Sequence, residues 1–200
     1  MNMPKLDKII FLDIDGVLNS EKAYLRGDCK YVEWEWEDGR KDHHQSFCPV
    51  SKLYINHLIK ITGAKVVISS TWRRSGLDFM KKVWEIEEMA GEIIGITPSF
   101  RGDIDGYTIP RGCEIEKWLE DKGFHHINWS VEKQQDIVEK SGIENYIIID
   151  DDSDMLYSQK NHFVHVLPSP RNKSGFNEEY LEQATLKLEK SVIDLNYENE

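Results

Sequence analysis

Five short apolar runs punctuate this chain, and stretches of helical periodicity separate them. They lie at residues 8–12, 64–69, 92–97, 146–149 and 163–167. These runs are rich in Ile and Val and do not alternate strictly, the pattern of strands covered on both faces. Strand and helix in repeated succession predict an α/β chain with a parallel sheet and crossover helices. Helices are expected over 49–62, 77–89, 111–122, 131–140 and 177–190. The first has Pro49 at its start and Gly63 just past its end, with Leu53, Ile55, Leu58, Ile59 and Ile61 on a wide apolar face. In the third, Ile115, Trp118 and Leu119 recur at helical spacing before Gly123.

The segment 20–47 breaks the pattern. It is polar, carries WEWEDGRKDHH, and is too short to bury a core of its own. It reads as a flap over the sheet, so the whole of 1–200 is expected to be one domain with this insertion and a C-terminal helix at about 177–190. Trp34 and Trp36 alternate with glutamates, as on one edge of a small β-hairpin. Their expected role is to pin the flap to the body. As a whole the flap reads as a lid that selects leaving groups.

A hydrophobic content of 40% with six Trp argues against disorder. No apolar run approaches a bilayer-spanning length, the N-terminus lacks a signal-peptide pattern, and three scattered cysteines build no disulfide framework. A soluble cytoplasmic protein with no membrane contact is therefore expected. The net charge of −11 opposes extended binding to a polyanion, although one phosphate could still be held in a local basic pocket.

Chemistry concentrates in two acidic clusters. The run IIFLDIDGVL drives an apolar strand into Asp13 and Asp15 before Gly16, and NYIIIDDDSD drives another into Asp150, Asp151, Asp152 and Asp154. Carboxylates this close are costly unless a cation sits among them, and Mg²⁺, a hard ion that takes oxygen ligands, meets that need. Two strands that both end in carboxylates can converge where the order of a parallel sheet reverses. For Asp152 and Asp154 the expectation is an ordinary turn or helix cap.

These segments resemble the haloacid dehalogenase-like hydrolases, in particular their small phosphatase members. IIFLDIDGVLN is similar to the family's first motif, GAKVVISSTWR to the second, IPRGCEIEKWL to the helix of the third, and YIIIDD to the double-Asp form of the fourth. The resemblance spans roughly residues 8–176 and implies a Rossmann-like three-layer sandwich. It also implies that Asp13 is nucleophile and metal ligand, and that Asp15 is the acid and base whose backbone carbonyl also faces the metal. Asp151 and Asp150 would hold Mg²⁺. Ser70 would bind a phosphoryl oxygen, with Ser69 as the alternative. Arg111 would balance charge, with Lys117 and Lys122 as alternatives. Gly16 and Arg73 would lie against substrate, Arg73 as part of a Trp72-Arg73 pair found in some small relatives that include phosphatase domains of nucleic-acid repair proteins.

The activity implied is Mg²⁺-dependent hydrolysis of a phosphomonoester, or a phosphomutase reaction, on a small metabolite or nucleotide. The alternatives are a 3′- or 5′-end phosphatase acting on nucleic acid and a phosphate-binding protein without catalysis. No Gly-x-x-x-x-Gly-Lys-Ser/Thr loop occurs, which excludes a fused P-loop kinase within these residues. Cys29, His43, His44 and Cys48 match no usual zinc spacing. His125, His126, His162, His165 and Cys113 are expected to be surface or packing residues, and Arg171 and Lys173 to line the crevice rim.

Overall fold

The computed structural model describes residues 7–100, 109–125, 131–167 and 175–190. Strand β1 (Asp7–Leu12) passes through a loop into a short helix, α1 (Glu21–Leu25). Ser20 caps that helix, its Oγ accepting from the Ala23 amide at 3.2 Å. An antiparallel hairpin of β2 (Tyr31–Glu35) and β3 (Lys41–Gln45) follows, then α2 (Pro49–Thr62) and β4 (Lys65–Ile68). A 3-10 turn (Thr71–Ser75) leads to α3 (Leu77–Ile86) and β5 (Ile93–Ile96). Then come α4 (Arg111–Asp121), α5 (Val131–Ser141), β6 (Ile143–Asp150), a second 3-10 turn (Tyr157–Gln159), β7 (Phe163–His165) and α6 (Glu178–Glu189).

All five strands of the main sheet are parallel, in the order β5-β4-β1-β6-β7. Residues of β1 alternate between the two faces, as a pleated strand requires. Ile10 and Leu12 join Ile55 and Leu58 of α2, Met80 and Val83 of α3, and Ala184 and Leu188 of α6. Ile9 and Phe11 join Ile115, Trp118 and Leu119 of α4, with Ile137 and Val138 of α5 packed alongside. The Phe11 ring meets Trp118 edge-on at 5.3 Å and Tyr146 at 5.7 Å. The result is the parallel sheet with crossover helices that the alternation of apolar runs and helices predicts, in the three-layer form that the family resemblance implies. Burial of each such side chain contributes about 1.5–3 kcal/mol, so a central strand buried on both faces is a rigid base for whatever follows it. Among the described residues no helix is long and apolar enough to cross a membrane.

Helix α3 is shorter than its periodicity predicts. Glu88 adopts a left-handed φ of 52°, and the Met89 amide turns back to the Trp84 carbonyl at 3.0 Å. This turn directs the buried Glu87 carboxylate at His44 (2.8 Å) and Lys52 (3.3 Å), which joins the base of the hairpin to the body. Trp34 packs against Phe79 at 5.5 Å and His44 at 5.3 Å. Trp36 stays on the hairpin itself, donating from Nε1 to Asp42 at 3.2 Å with Arg40 over its ring. Phe47, at the end of the segment, is buried in the main core.

Candidate active site

Sheet order decides where the acidic clusters go. The chain moves from β1 outward to β4 and β5, then returns to the other side of β1 for β6 and β7. The order therefore reverses between β1 and β6, and a ligand crevice opens at the carboxyl ends of these strands. Leu12 pairs with Ile149, and the Asp13 amide donates to the Ile149 carbonyl at 3.0 Å. Asp13 and Asp150 thus leave neighbouring strands at the same level. Carboxylate oxygens of Asp13, Asp150 and Asp151 lie within 4.8 Å of one another, the one such group of three or more potential metal ligands among the described residues.

Asp13 and Asp150 are buried, which pushes both carboxyls above the usual carboxylate range. For Asp150 the neighbouring Asp13 charge adds to the effect, and Arg111 opposes it for both. Asp150 Oδ1 accepts from the Asp152 amide at 2.9 Å, whereas Oδ2 has no hydrogen bond and lies 3.4 Å from Arg111 Nε. Three convergent carboxylates, one with an orphaned buried oxygen, make a donor set of hard oxygens with an excess of negative charge. That set fits Mg²⁺.

Arg111 sits at the first turn of α4. Its Nη1 donates to Asp13 Oδ1 at 3.0 Å, and its backbone amide donates to Asp154 Oδ2 at 2.8 Å. The Gly112 amide donates to the Asp154 carbonyl at 3.2 Å, so Asp154 caps a helix that begins 43 residues earlier in the sequence. A capping role for Asp154 was legible, but its partner was not. Lys117 instead pairs with Asp121 on an exposed face, and Lys122 lies 5.4 Å over the Trp118 ring. Of the three cations weighed for this position, only Arg111 meets Asp13.

The hydroxyl contacts also separate the two serines. Ser70 lies beside Asp13, where its hydroxyl helps to hold the carboxyl down, and accepts from the Trp72 amide at 3.4 Å, while the Ser69 hydroxyl is buried without a partner. Asp15 is exposed, and Trp72 Nε1 donates to its Oδ2 at 3.0 Å. Gly16 has φ +82°, and a Cβ there would collide with the Asp151 carboxylate. Its amide donates to the Asn19 carbonyl at 2.7 Å, and its missing side chain leaves space for Asp151.

Arg73 departs from expectation. Its guanidinium is buried, donating to the Ser70 carbonyl at 2.6 Å and to Glu114 of α4. Glu114 Oε1 also accepts from the Phe100 amide at 2.8 Å. This buried side chain spends its donors inside the protein, where it ties the Ser70 turn to the helix that carries Arg111. Nothing in the sequence marks Glu114, because an acidic residue in a helix is ordinarily solvated. Removing one partner of a buried pair leaves an uncompensated charge that costs about 3–5 kcal/mol. Glu114→Ala should therefore lower the melting temperature by about 10 °C, and Arg73→Met with Glu114→Leu should recover most of that loss. A single-variant shift below about 2 °C in a thermal melt would contradict this.

The other candidates take the ordinary roles expected of them. His44 bonds Glu87, and Cys29 and Cys48 lie with Ala23 in a small apolar cluster. His162 stacks on Tyr146 with ring centroids 4.0 Å apart, and His165 lies 3.1 Å from the Asp151 carbonyl. His126, Arg171 and Lys173 lie outside the described residues.

One family of known proteins matches this chain over residues 9–181, the family described as the HAD domain in Swiss Army Knife RNA repair proteins. The match covers most of the sequence, and the chain belongs to this haloacid dehalogenase-like family. No curated protein matches it.

Proposed function

With membership of that family as premise, we propose that the protein is a Mg²⁺-dependent phosphatase that hydrolyses a phosphomonoester through an aspartyl-phosphate on Asp13. The convergence of Asp13, Asp150 and Asp151 beneath Arg111 carries the reading. Asp13, Asp150 and Asp151 would hold Mg²⁺, which when bound screens repulsion between the nucleophilic carboxylate and an anionic phosphate.

The protein's own groups then account for each proton and bond. A carboxylate oxygen of Asp13 attacks phosphorus, and the bond from phosphorus to the leaving oxygen breaks. Asp15, as the carboxylic acid, gives its proton to that oxygen. Arg111 and Ser70 bind the equatorial phosphoryl oxygens where charge gathers. In the second half Asp15, now a carboxylate, takes a proton from water as that water attacks phosphorus. The bond to Asp13 breaks, inorganic phosphate leaves, and both aspartates return to their starting states. A second phosphorylated molecule in place of water would make the same site a phosphomutase.

The net charge of −11 opposes a small phosphorylated metabolite or nucleotide less than it opposes an extended polyanion. A second reading, phosphate at an RNA end, is favoured by the family's description as a domain of RNA repair proteins. It needs only one terminal phosphate in the crevice, so a net charge of −11 does not oppose it as it opposes extended binding. EDTA should silence hydrolysis of a chromogenic phosphate ester, and added Mg²⁺ should restore it. Full activity after exhaustive dialysis against EDTA would refute the metal, and no turnover with Mg²⁺ would favour a binding protein. A screen of phosphorylated metabolites beside 3′- and 5′-phosphorylated oligonucleotides then decides between the two substrate readings.

A further inference from the structure

The reaction above gives no task to Trp72, yet Trp72 holds a specific contact with one of its participants. Its indole Nε1 donates to Asp15 Oδ2 at 3.0 Å, joining residues 57 positions apart. The donor is fixed at both ends. Its backbone amide is held by the Ser70 hydroxyl at 3.4 Å. Its ring packs against Phe47 at 6.1 Å and His44 at 6.4 Å, both from the base of the flap. His44 is itself anchored by Glu87, which Lys52 also holds.

Asp15 is exposed by contrast, and among the described residues Trp72 is the one side chain that hydrogen-bonds its carboxyl group. An indole N–H donates and never accepts. The oxygen that faces it must therefore be an acceptor, which leaves the other oxygen to carry any proton. A carboxylic acid without this constraint would divide its proton between two oxygens and its side chain between several rotamers.

We propose that Trp72 is a positioning residue for Asp15: it pins Oδ2, so that Oδ1 presents the proton to the leaving oxygen, with His44 and Phe47 of the flap base seating the indole. The proposal rests on the acid role given to Asp15 above. It also gives the flap a function that involves no motion and no contact with substrate, since the flap base holds the residue that aims the acid.

Leaving-group dependence provides the test. The value of kcat/KM reports steps up to release of the leaving alcohol. An alkyl phosphate needs that alcohol protonated as it departs, whereas 2,4-dinitrophenyl phosphate does not. Trp72→Phe keeps a packing ring and removes the donor. It should lower kcat/KM for an alkyl phosphate about tenfold or more, from the 10²–10⁴-fold range of general acid catalysis, and for the dinitrophenyl ester no more than about threefold. Benzothienylalanine at position 72, with sulfur in place of the N–H, keeps the bicyclic shape and should give the same split if the Phe variant folds poorly. Equal losses on both esters, or no loss on the alkyl ester, would overturn the role of Trp72 and leave the reaction standing. A folded, Mg²⁺-supplied wild type that turns over neither ester would overturn the reaction and this proposal with it.

Discussion

Asp13→Asn is expected to abolish turnover, by a thousandfold or more, while the protein stays folded. A thousandfold loss corresponds to about 4 kcal/mol of barrier, within reach of removing a covalent nucleophile. The two side chains are close to isosteric, and the site tolerates the loss of charge. Burial already penalises a carboxylate at this position, and Asp150 repels it. Arg111 keeps Asp150 as a partner at 3.4 Å when Asp13 is neutral. Circular dichroism and a thermal melt should therefore stay close to wild type while hydrolysis disappears. Retention of more than about a tenth of the activity, only ~1.4 kcal/mol of barrier, would remove Asp13 as nucleophile.

What the sequence revealed and what it concealed divide along a physical line. Features set by local pattern were legible. β1 and β6 are apolar runs that end in aspartates, and α2 starts at Pro49 and stops at Gly63, whose φ of 66° suits glycine. Convergence of Asp13 with Asp150 was legible too, because a parallel sheet places the ends of adjacent strands side by side. Features set by contacts distant in sequence were not. The Arg73–Glu114 pair joins residues 41 positions apart, and neither is unusual for its element. An arginine that follows Ser69-Ser70-Thr71-Trp72 invites a functional reading, and its burial against Glu114 is invisible in the sequence. The end of α3 was concealed similarly, because Glu88 takes a conformation that its sequence does not demand. The flap lies between these cases. Its hairpin follows from alternation, but Phe47 in the core and His44 on Glu87 make its base part of the body rather than a removable cover.

Gly16→Ala should damage the site nearly as much as removal of a metal ligand, although it deletes no functional group. Gly16 has φ +82°, where a side chain costs about 1–2 kcal/mol. That cost alone would lower the melting temperature by only a few degrees. The larger effect is positional, because a methyl group at residue 16 would occupy the space of the Asp151 carboxylate. Asp151 would have to turn away from Asp13 and Asp150, opening the cluster proposed to hold Mg²⁺. The expected result is about a hundredfold loss of activity at limiting Mg²⁺, on the order of 2.7 kcal/mol, with at least a tenfold rise in the Mg²⁺ concentration required. Calorimetric titration with Mg²⁺ should show the same weakening without reference to turnover. Asp151→Ala should reproduce both effects, and adding Gly16→Ala to it should cost little more, since the two changes act through one carboxylate. Should the single Gly16 variant bind Mg²⁺ as the wild type does, Asp151 is not a ligand whose position matters. Additive losses in the double variant would instead mean that Gly16 acts through the backbone of the Asp13–Asp15 loop.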